Sequence, residues 1–303
     1  MKLSICILSY NRRQELNTTL RLLASNVTLQ HQIVVVENGS TDGSATMVRS
    51  EFPEVDLVEL TENMGAPALN KGFEISKGDY ILVLDDDSHP EKGLNEAIEF
   101  LDNNPDVGAL ALHIVGGSYR IKSKRHLEEI MGYIGCGVIF RSSTIQDAGG
   151  YPPWIFLYAN EWEHAIRIRQ SGYSIRYFDT CSIVHRVAAS HRSNRRLRSL
   201  TTRNELLILE RYFDNDPRKD KLMRRTVRWN RLFCLLEGRM TFSHVKEGIE
   251  LYQTDRHTIA KVSIDQTVRD SYVQEHWSLQ PLFPALILKF MEALKEKLGP
   301  ANA

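Results

Sequence analysis

Three adjacent carboxylates, Asp85-Asp86-Asp87, follow the apolar run Tyr80 to Leu84. Such a triplet repels itself unless a cation is at hand. Hard oxygen ligands suit Mg²⁺ or Mn²⁺, ions that in turn hold phosphates. A solvated acidic turn is the plain alternative for an isolated triplet, but two further polar clusters argue against it. Ser9-Tyr10-Asn11 ends the run Leu3 to Leu8, and Glu37-Asn38-Gly39-Ser40 ends the β-branched run Ile33 to Val36. In an open α/β sheet ligands bind beyond the carboxyl ends of the strands, so the three clusters should converge on one cleft.

Other phosphate and nucleophile signatures are missing. No GxGxxG follows the first strand, no GxxxxGK[ST] loop occurs, and there is no GxSxG elbow. These absences argue against a dinucleotide Rossmann site, a P-loop and a serine-hydrolase elbow, and a nucleotide held by a carboxylate-bound metal remains.

The elements that must position these clusters alternate in period. Apolar strand-like runs at residues 3–8, 33–36, 55–60, 80–84 and 107–114 are separated by helical patterns at Leu16, Leu20 and Leu23, near 66–77, and near 91–103. Asn11 and Gln14 are spaced like a capping pair for the first helix. Strand–helix alternation of this length predicts an α/β fold with a mainly parallel sheet. Beyond residue 115 the pattern loosens. A strand is expected at 135–140, a helix at 161–171, a strand at 174–178, and a short apolar approach, Ile183-Val184, to His185. After residue 190 the signals are helical, at 197–213, 221–236 and 284–298, which predicts a C-terminal helical extension over 191–303.

Composition narrows the class. In 303 residues Lys plus Arg and Asp plus Glu number 38 each, so no global charge draws the chain to nucleic acid or membrane. Residues 186–231 hold fourteen basic against five acidic residues, so an attraction to anionic lipid or nucleic acid would have to be local. A solvated helical face is the default reading of that stretch. Cys6, Cys136, Cys181 and Cys234 form no CxxC, and the first and second lie in apolar runs where a reduced thiol acts as a small hydrophobe. The opening segment is too short for a leader peptide, and no apolar stretch approaches the roughly 20 residues of a membrane helix. These features predict a soluble cytoplasmic protein, at most peripheral on the inner face of a membrane.

The motifs together resemble family-two inverting glycosyltransferases with a GT-A fold. The matching stretches are ICILSYNR at 5–12, VVVENGSTDGS at 34–44, NMGAPALNKG at 63–72, YILVLDDD at 80–87, GCGVIF at 135–140, and FLYANEWEHAIRIRQSGY to IVH over 156–185. They occur in the family's order over residues 1–190, with spacing most like the bacterial rhamnosyltransferase-like branch. The resemblance implies a nucleotide-sugar part at 1–115 and an acceptor and catalytic part at 116–190. It implies that Ser9, Asn11, Glu37, Asn70, Asp85 and Asp86 line the sugar nucleotide, with Glu37 where the family usually has Asp. Asp87 and His185 would hold Mn²⁺ or Mg²⁺. Alone, His185 would read as a structural histidine.

For the catalytic base the resemblance selects Glu161, although Asn160 breaks the family's acidic pair and Glu161 replaces the usual Asp. Positions 161 and 163 lie about 200° apart on a helix, so only one of Glu161 and Glu163 can face the site. A carboxylate that merely complements a helix N-terminus is the alternative for Glu161. Trp154, Tyr158 and Trp162 suit either a stacking wall for a sugar acceptor or core. The implied activity is metal-dependent inverting transfer of a hexosyl or deoxyhexosyl group. The donor would be a UDP-, dTDP- or GDP-sugar and the acceptor a sugar or lipid-linked hydroxyl. No nucleic acid would be bound, and a homodimer through the C-terminal helices is admitted. The rivals are a sugar-phosphate nucleotidyltransferase, which should carry a Gly-rich basic loop near its start, and a non-catalytic carbohydrate- or nucleic-acid-binding protein.

Overall fold

The apolar runs of the first half become strands because their side chains can be buried on both faces of a sheet. In the computed structural model, which describes residues 1–116, 124–186, 194–236 and 242–276, β1 is Leu3–Ser9 and is followed by α1 at Arg13–Asn26. Then come β2 at His31–Glu37, α2 at Ser44–Glu51, β3 at Asp56–Glu59 and α3 at Leu69–Ile75. β4 spans Tyr80–Asp85, β5 Ser88–Lys92, α4 Leu94–Asn103 and β6 Val107–Val115. β7 at Val138–Arg141, α5 at Ser142–Ala148, α6 at Asn160–Gln170 and β8 at Ser174–His185 complete this part.

The strands form one sheet in the order β3-β2-β1-β4-β7-β6-β8-β5. The pairs β1–β2, β1–β4, β2–β3 and β6–β8 are parallel, and β7 and β5 pair antiparallel. The mixed α/β fold with a mostly parallel sheet is the one expected. Alternate residues serve opposite faces. Leu3, Ile5 and Ile7 of β1 pack with Leu16, Leu20 and Leu23 of α1, while Cys6 joins Val34, Val36, Leu69 and Phe73 on the other face.

Register brings the polar clusters together. Ser9 pairs with Glu37, and Leu8 with Asp85, so three strand ends lie side by side. At the far end of the sheet Ser88 pairs with His185, which returns the end of β8 to the aspartate triplet.

The structure departs from the sequence expectations in several places. The helix expected from residue 91 starts at Leu94, because Ser88–Lys92 forms the edge strand β5, where Pro90 is tolerated. The two short segments at 174–178 and 183–185 are one twelve-residue strand, β8; its exposed Asp179 and Thr180 interrupted the apolar pattern. The helix near 66–77 is a 3₁₀ turn at Ala66–Ala68 followed by α3. Asn11 does not cap α1: its φ is 52°, and its Oδ1 accepts a hydrogen bond from Thr41 N at 2.8 Å.

The chain divides into two compact units, Met1–His191 and Arg192–Ala303. Within the second, α7 is Asn194–Tyr212, α8 Lys219–Leu236, α9 Ser243–Asp255 and α10 Gln266–His276. α9 and α10 were not expected, and the helix expected at 284–298 lies outside the described residues. Gly248 of α9 sits against α7: a Cβ there would lie 2.5 Å from Ser199 O and 2.8 Å from Thr202 Cβ. Several cations of the basic stretch are answered inside this unit. Arg195 meets Glu247 at 2.9 Å, Arg203 meets Asp255 at 2.6 Å, and Arg218 meets both Asp216 and Asp270 at 2.7 Å. An exposed pair such as Arg195–Glu247 is worth little, about 0–1 kcal/mol, but the pairs from α7 to α9 tie those two helices in register. Among the described residues no helix is long and apolar enough to cross a membrane.

Candidate active site

The aspartate triplet leaves the sheet at the end of β4. Asp86 and Asp87 are buried, at 3% and 2% exposure. Buried carboxylates need partners, and both find Arg12, whose guanidinium reaches Asp86 Oδ1 at 2.7 Å and Asp87 Oδ2 at 2.6 Å. On its other side Asp87 presents Oδ1 to His185 Nε2 at 3.1 Å. Asp85, more exposed, places Oδ2 3.8 Å from the same nitrogen. Burial raises the Asp87 carboxyl, but hydrogen bonds to His185 and Arg12 outweigh it and hold it well below the usual range. Asp86 goes the other way. Burial pushes it up to about 8 against Arg12, and the charges of Asp85 and Asp87 add to the rise.

Arg186 locks the backbone beneath the triplet. Its N–H donates to Asp87 O at 3.0 Å, and its guanidinium donates to Thr19 Oγ1 at 2.7 Å and to Glu15 O at 3.1 Å. Thr19 in turn donates to Asp86 O at 2.6 Å. The sequence reading missed Arg12 and Arg186. Each adjoins a predicted site residue, which was the available signal.

The carbonyl of Ser9 accepts from Asn38 N at 2.9 Å, and the buried Ser9 hydroxyl helps hold down the Asp86 carboxyl. Asn11 N donates to Ser40 Oγ at 2.7 Å. Glu37 accepts from the N–H of Ser40 at 2.8 Å and from its hydroxyl, so its carboxylate closes its own turn. Asn38 holds the next loop, accepting from Met64 N at 2.8 Å and donating to Asn63 Oδ1 at 3.0 Å. Asn70 has its side chain on a neighbouring segment of backbone. Its amide donates to Tyr151 O and accepts from Tyr151 N, both at 2.8 Å, and so clamps the chain ahead of α6.

α6 separates the two glutamates. Glu163 is 1% exposed and grips Arg167, with Nη2 to Oε2 at 2.7 Å. Arg167 also donates to Ala148 O and Gly150 O, which ties α6 to the end of α5. Glu161 lies on another face, half-buried against Gly135, where an added Cβ would lie 3.1 Å from its Oε1. Burial pushes its carboxyl up to about 7; its own N–H and that of Gly135 pull it down, and the charge of Asp85 pushes it up. Just before α6, Tyr158 and Ala159 have φ of 69° and 59°, the left-handed region that non-glycine residues rarely adopt. Trp154, Tyr158 and Trp162 are each half-buried. The Trp162 ring lies on Gly132, where an added Cβ would sit 2.7 Å from Cη2.

One further residue joins the centre. Cys136, 2% exposed, offers its sulfur to a group in which ligand atoms of Asp85, Cys136 and His185 all lie within 4.8 Å of one another. Two carboxylates and an imidazole fit a hard divalent cation. The Cys136 thiol is kept protonated by burial and by the charges of Asp85, Asp87 and Glu161, so it suits such an ion poorly.

Residues 4–179, more than half of the chain, match the family described as Glycosyl transferase family 2. The chain belongs to that family. It is 30% identical over 107 residues to an uncharacterized glycosyltransferase of Haemophilus influenzae, covering 35% of this chain and 36% of that protein. Two solved structures share its fold. One is S. aureus TarS 1-349 in complex with UDP-GlcNAc, with a TM-score of 0.60, 16% identity and coverage of 95% of this chain and 88% of that one. The other is a mannosyltransferase of Pyrobaculum calidifontis in complex with GDP-Man and Mn²⁺, with a TM-score of 0.57, 17% identity and coverage of 96% and 84%. The family 2 chain spans well under two thirds of the first curated relatives it matches, 36% and 56% of the first two.

Proposed function

We propose that this chain is a metal-dependent inverting glycosyltransferase of glycan, polysaccharide or glycoconjugate biosynthesis. It would pass a sugar from a nucleoside diphosphate sugar to an acceptor hydroxyl. The observation that carries the reading is the meeting of Asp85, Asp87 and His185 at the strand ends, with the raised carboxyl of Glu161 in the field of Asp85. Ser9, Asn11, Glu37 and Asp86 are the residues proposed to line base and ribose. Asp87 and His185, with Asp85, would hold Mn²⁺ or Mg²⁺. When bound, such an ion neutralises charge on a leaving diphosphate.

Glu161 takes the acceptor proton as the hydroxyl oxygen attacks the anomeric carbon. Direct displacement from the face opposite the diphosphate inverts the configuration. A carboxyl near pH 7 is well matched to this work. The half-buried rings of Trp154, Tyr158 and Trp162 are proposed for the acceptor sugar. The fold neighbours bound to UDP-GlcNAc and to GDP-Man with Mn²⁺ support a nucleotide-sugar donor and a metal. The motif spacing, most like that of the rhamnosyltransferase-like branch, supports a hexosyl or deoxyhexosyl group, and the free, buried cysteines Cys6, Cys136 and Cys181 support a reducing, cytoplasmic compartment.

Thermal shift with UDP, dTDP and GDP, each with and without Mn²⁺, tests the proposal, because a ligand that binds only the native state raises its apparent stability. One nucleotide should stabilise the chain in the presence of Mn²⁺ alone, and its sugar conjugates should be consumed on adding acceptor. Equal shifts without metal would remove the metal role, and no shift with any nucleotide would remove the donor assignment.

A further inference from the structure

Cys136 packs in the same apolar cluster as Cys181, but its sulfur has polar neighbours as well. Cys6 and Cys181 pack among aliphatic side chains of the core, and Cys234 belongs to α8. The sulfur of Cys136 also shares a cluster with His185 and Asp85 in which the ligand atoms lie within 4.8 Å of one another. We propose that Asp85, Cys136 and His185 form a site for a thiophilic divalent cation, Zn²⁺ or Cd²⁺, distinct in ligand set from the hard-cation site and exclusive with it.

One sulfur, one imidazole nitrogen and one carboxylate oxygen, with a fourth position open, is a donor set of zinc, and thiolate ligation selects soft cations over Mg²⁺ and Mn²⁺. The spacing is close to what such an ion needs. His185 Nε2 and Asp85 Oδ2 are 3.8 Å apart. Bonds of about 2.0–2.2 Å to N and O in a tetrahedron put those atoms about 3.4 Å apart, and a Zn–S bond of about 2.3 Å puts sulfur only slightly farther from each. The set closes with sub-ångström to ångström side-chain shifts. The Asp85 side chain, 42% exposed, gives an entry path, while Cys136 and His185 are shielded from water.

Exclusion follows from His185. Its Nε2 atom lies 3.8 Å from Asp85 and 3.1 Å from Asp87, and its one lone pair can bind one ion at a time. A soft ion that takes this nitrogen toward Cys136 removes it from Asp87, so both ions cannot hold it at once. Binding exchanges the S–H bond for an S–metal bond, and the thiol proton leaves to solvent; nothing is oxidised or reduced. The thiol is a bystander toward a hard cation and a ligand toward a soft one. Inhibition of transfer by Zn²⁺ rests on the proposed function, whereas the binding itself does not.

Cobalt titration of the metal-stripped full chain tests the site, because a thiolate ligand gives Co²⁺ an intense near-ultraviolet charge-transfer band. The wild-type chain should show the band, Zn²⁺ should abolish it, and excess Mg²⁺ should leave it in place. Cys136→Ser, and Cys136→Ala, which adds no buried hydroxyl, should both lose it while keeping the wild-type far-ultraviolet circular dichroism. Cys181→Ser should retain it. No band in the wild type, or a band that survives in both Cys136 variants, overturns the proposal. In a Mn²⁺-supported transfer assay, Cys136→Ser should raise the half-inhibiting Zn²⁺ concentration about tenfold or more, the usual scale for losing a contributor to a metal site. An unchanged value would overturn the competitive role. A cobalt band in a chain without transferase activity supports the site and counts against the proposed function.

Discussion

The imidazole of His185, at the end of β8, lies 3.1 Å from the carboxylate of Asp87, just beyond β4. The two strands are not neighbours. β5 makes the link: it begins one residue after Asp87, and its first residue, Ser88, pairs with His185. Asp87→Asn should abolish Mn²⁺-dependent binding of a nucleoside diphosphate, and His185→Ala should weaken it about 10- to 100-fold. Isothermal titration with and without Mn²⁺ checks both, and an unaltered metal dependence in Asp87→Asn would refute the assignment.

Glu161→Gln should leave nucleotide affinity nearly unchanged and cut turnover by about 10² to 10⁴, the usual contribution of a general base. Glu163→Ala should behave in the opposite way. It strips Arg167 of its carboxylate partner, and breaking a buried pair costs about 3 kcal/mol of stability. Steady-state kinetics beside thermal melting separates the two. Near-native turnover in Glu161→Gln would move the base elsewhere.

The pH profile follows from the Glu161 carboxyl, raised from 4.5 to about 7. A base works in its ionised form, so kcat/KM should fall about tenfold per unit below pH 7. Because Asp85 contributes to the rise, Asp85→Asn should move this acidic limb to lower pH. The fold favours the protonated acid. Its share of stability is therefore full below about 4.5 and is lost as pH rises through 7. Glu161→Gln should flatten that part of the stability curve. An acidic limb that stays in place in Glu161→Gln would exclude this residue as its source.

Gly65 has φ of 69°, and a side chain there would collide with the carbonyl of Phe156. The next residue, Ala66, donates its N–H to that same carbonyl at 2.8 Å. Gly65→Ala should therefore cost about 2–4 kcal/mol, through both backbone strain and the displaced segment that leads into α6. Urea unfolding measures it; a loss under about 0.5 kcal/mol, the scale of an ordinary surface change, would show that the two loops move freely of each other.

Much of the site's frame was legible in the residues. Continuous β-branched and aliphatic runs can be buried only in a sheet covered on both faces, so β1, β2, β4 and β6 announced themselves. Polar clusters at their ends marked the ligand edge of the sheet. The helix angle between positions 161 and 163 showed that the two glutamates part company. What could not be read were the interactions formed across the fold. The edge strand β5, with Pro90 and a charged C-terminal end, has no strand signal of its own and exists because β8 offers it a partner. The bonds of the Asn70 amide to the backbone of Tyr151, a distant part of the chain, have no sequence signal either.

The sequence by itself determined the α/β class and the carboxylate chemistry, because both depend on local periodicity and on residue type. Only the tertiary structure decided which groups share charge and ligands. It set Arg12 between Asp86 and Asp87, turned His185 to Asp87, and carried Cys136 from an apolar strand entrance into the same cluster. Electrostatic coupling depends on distance and burial through space, and separation along the chain carries neither.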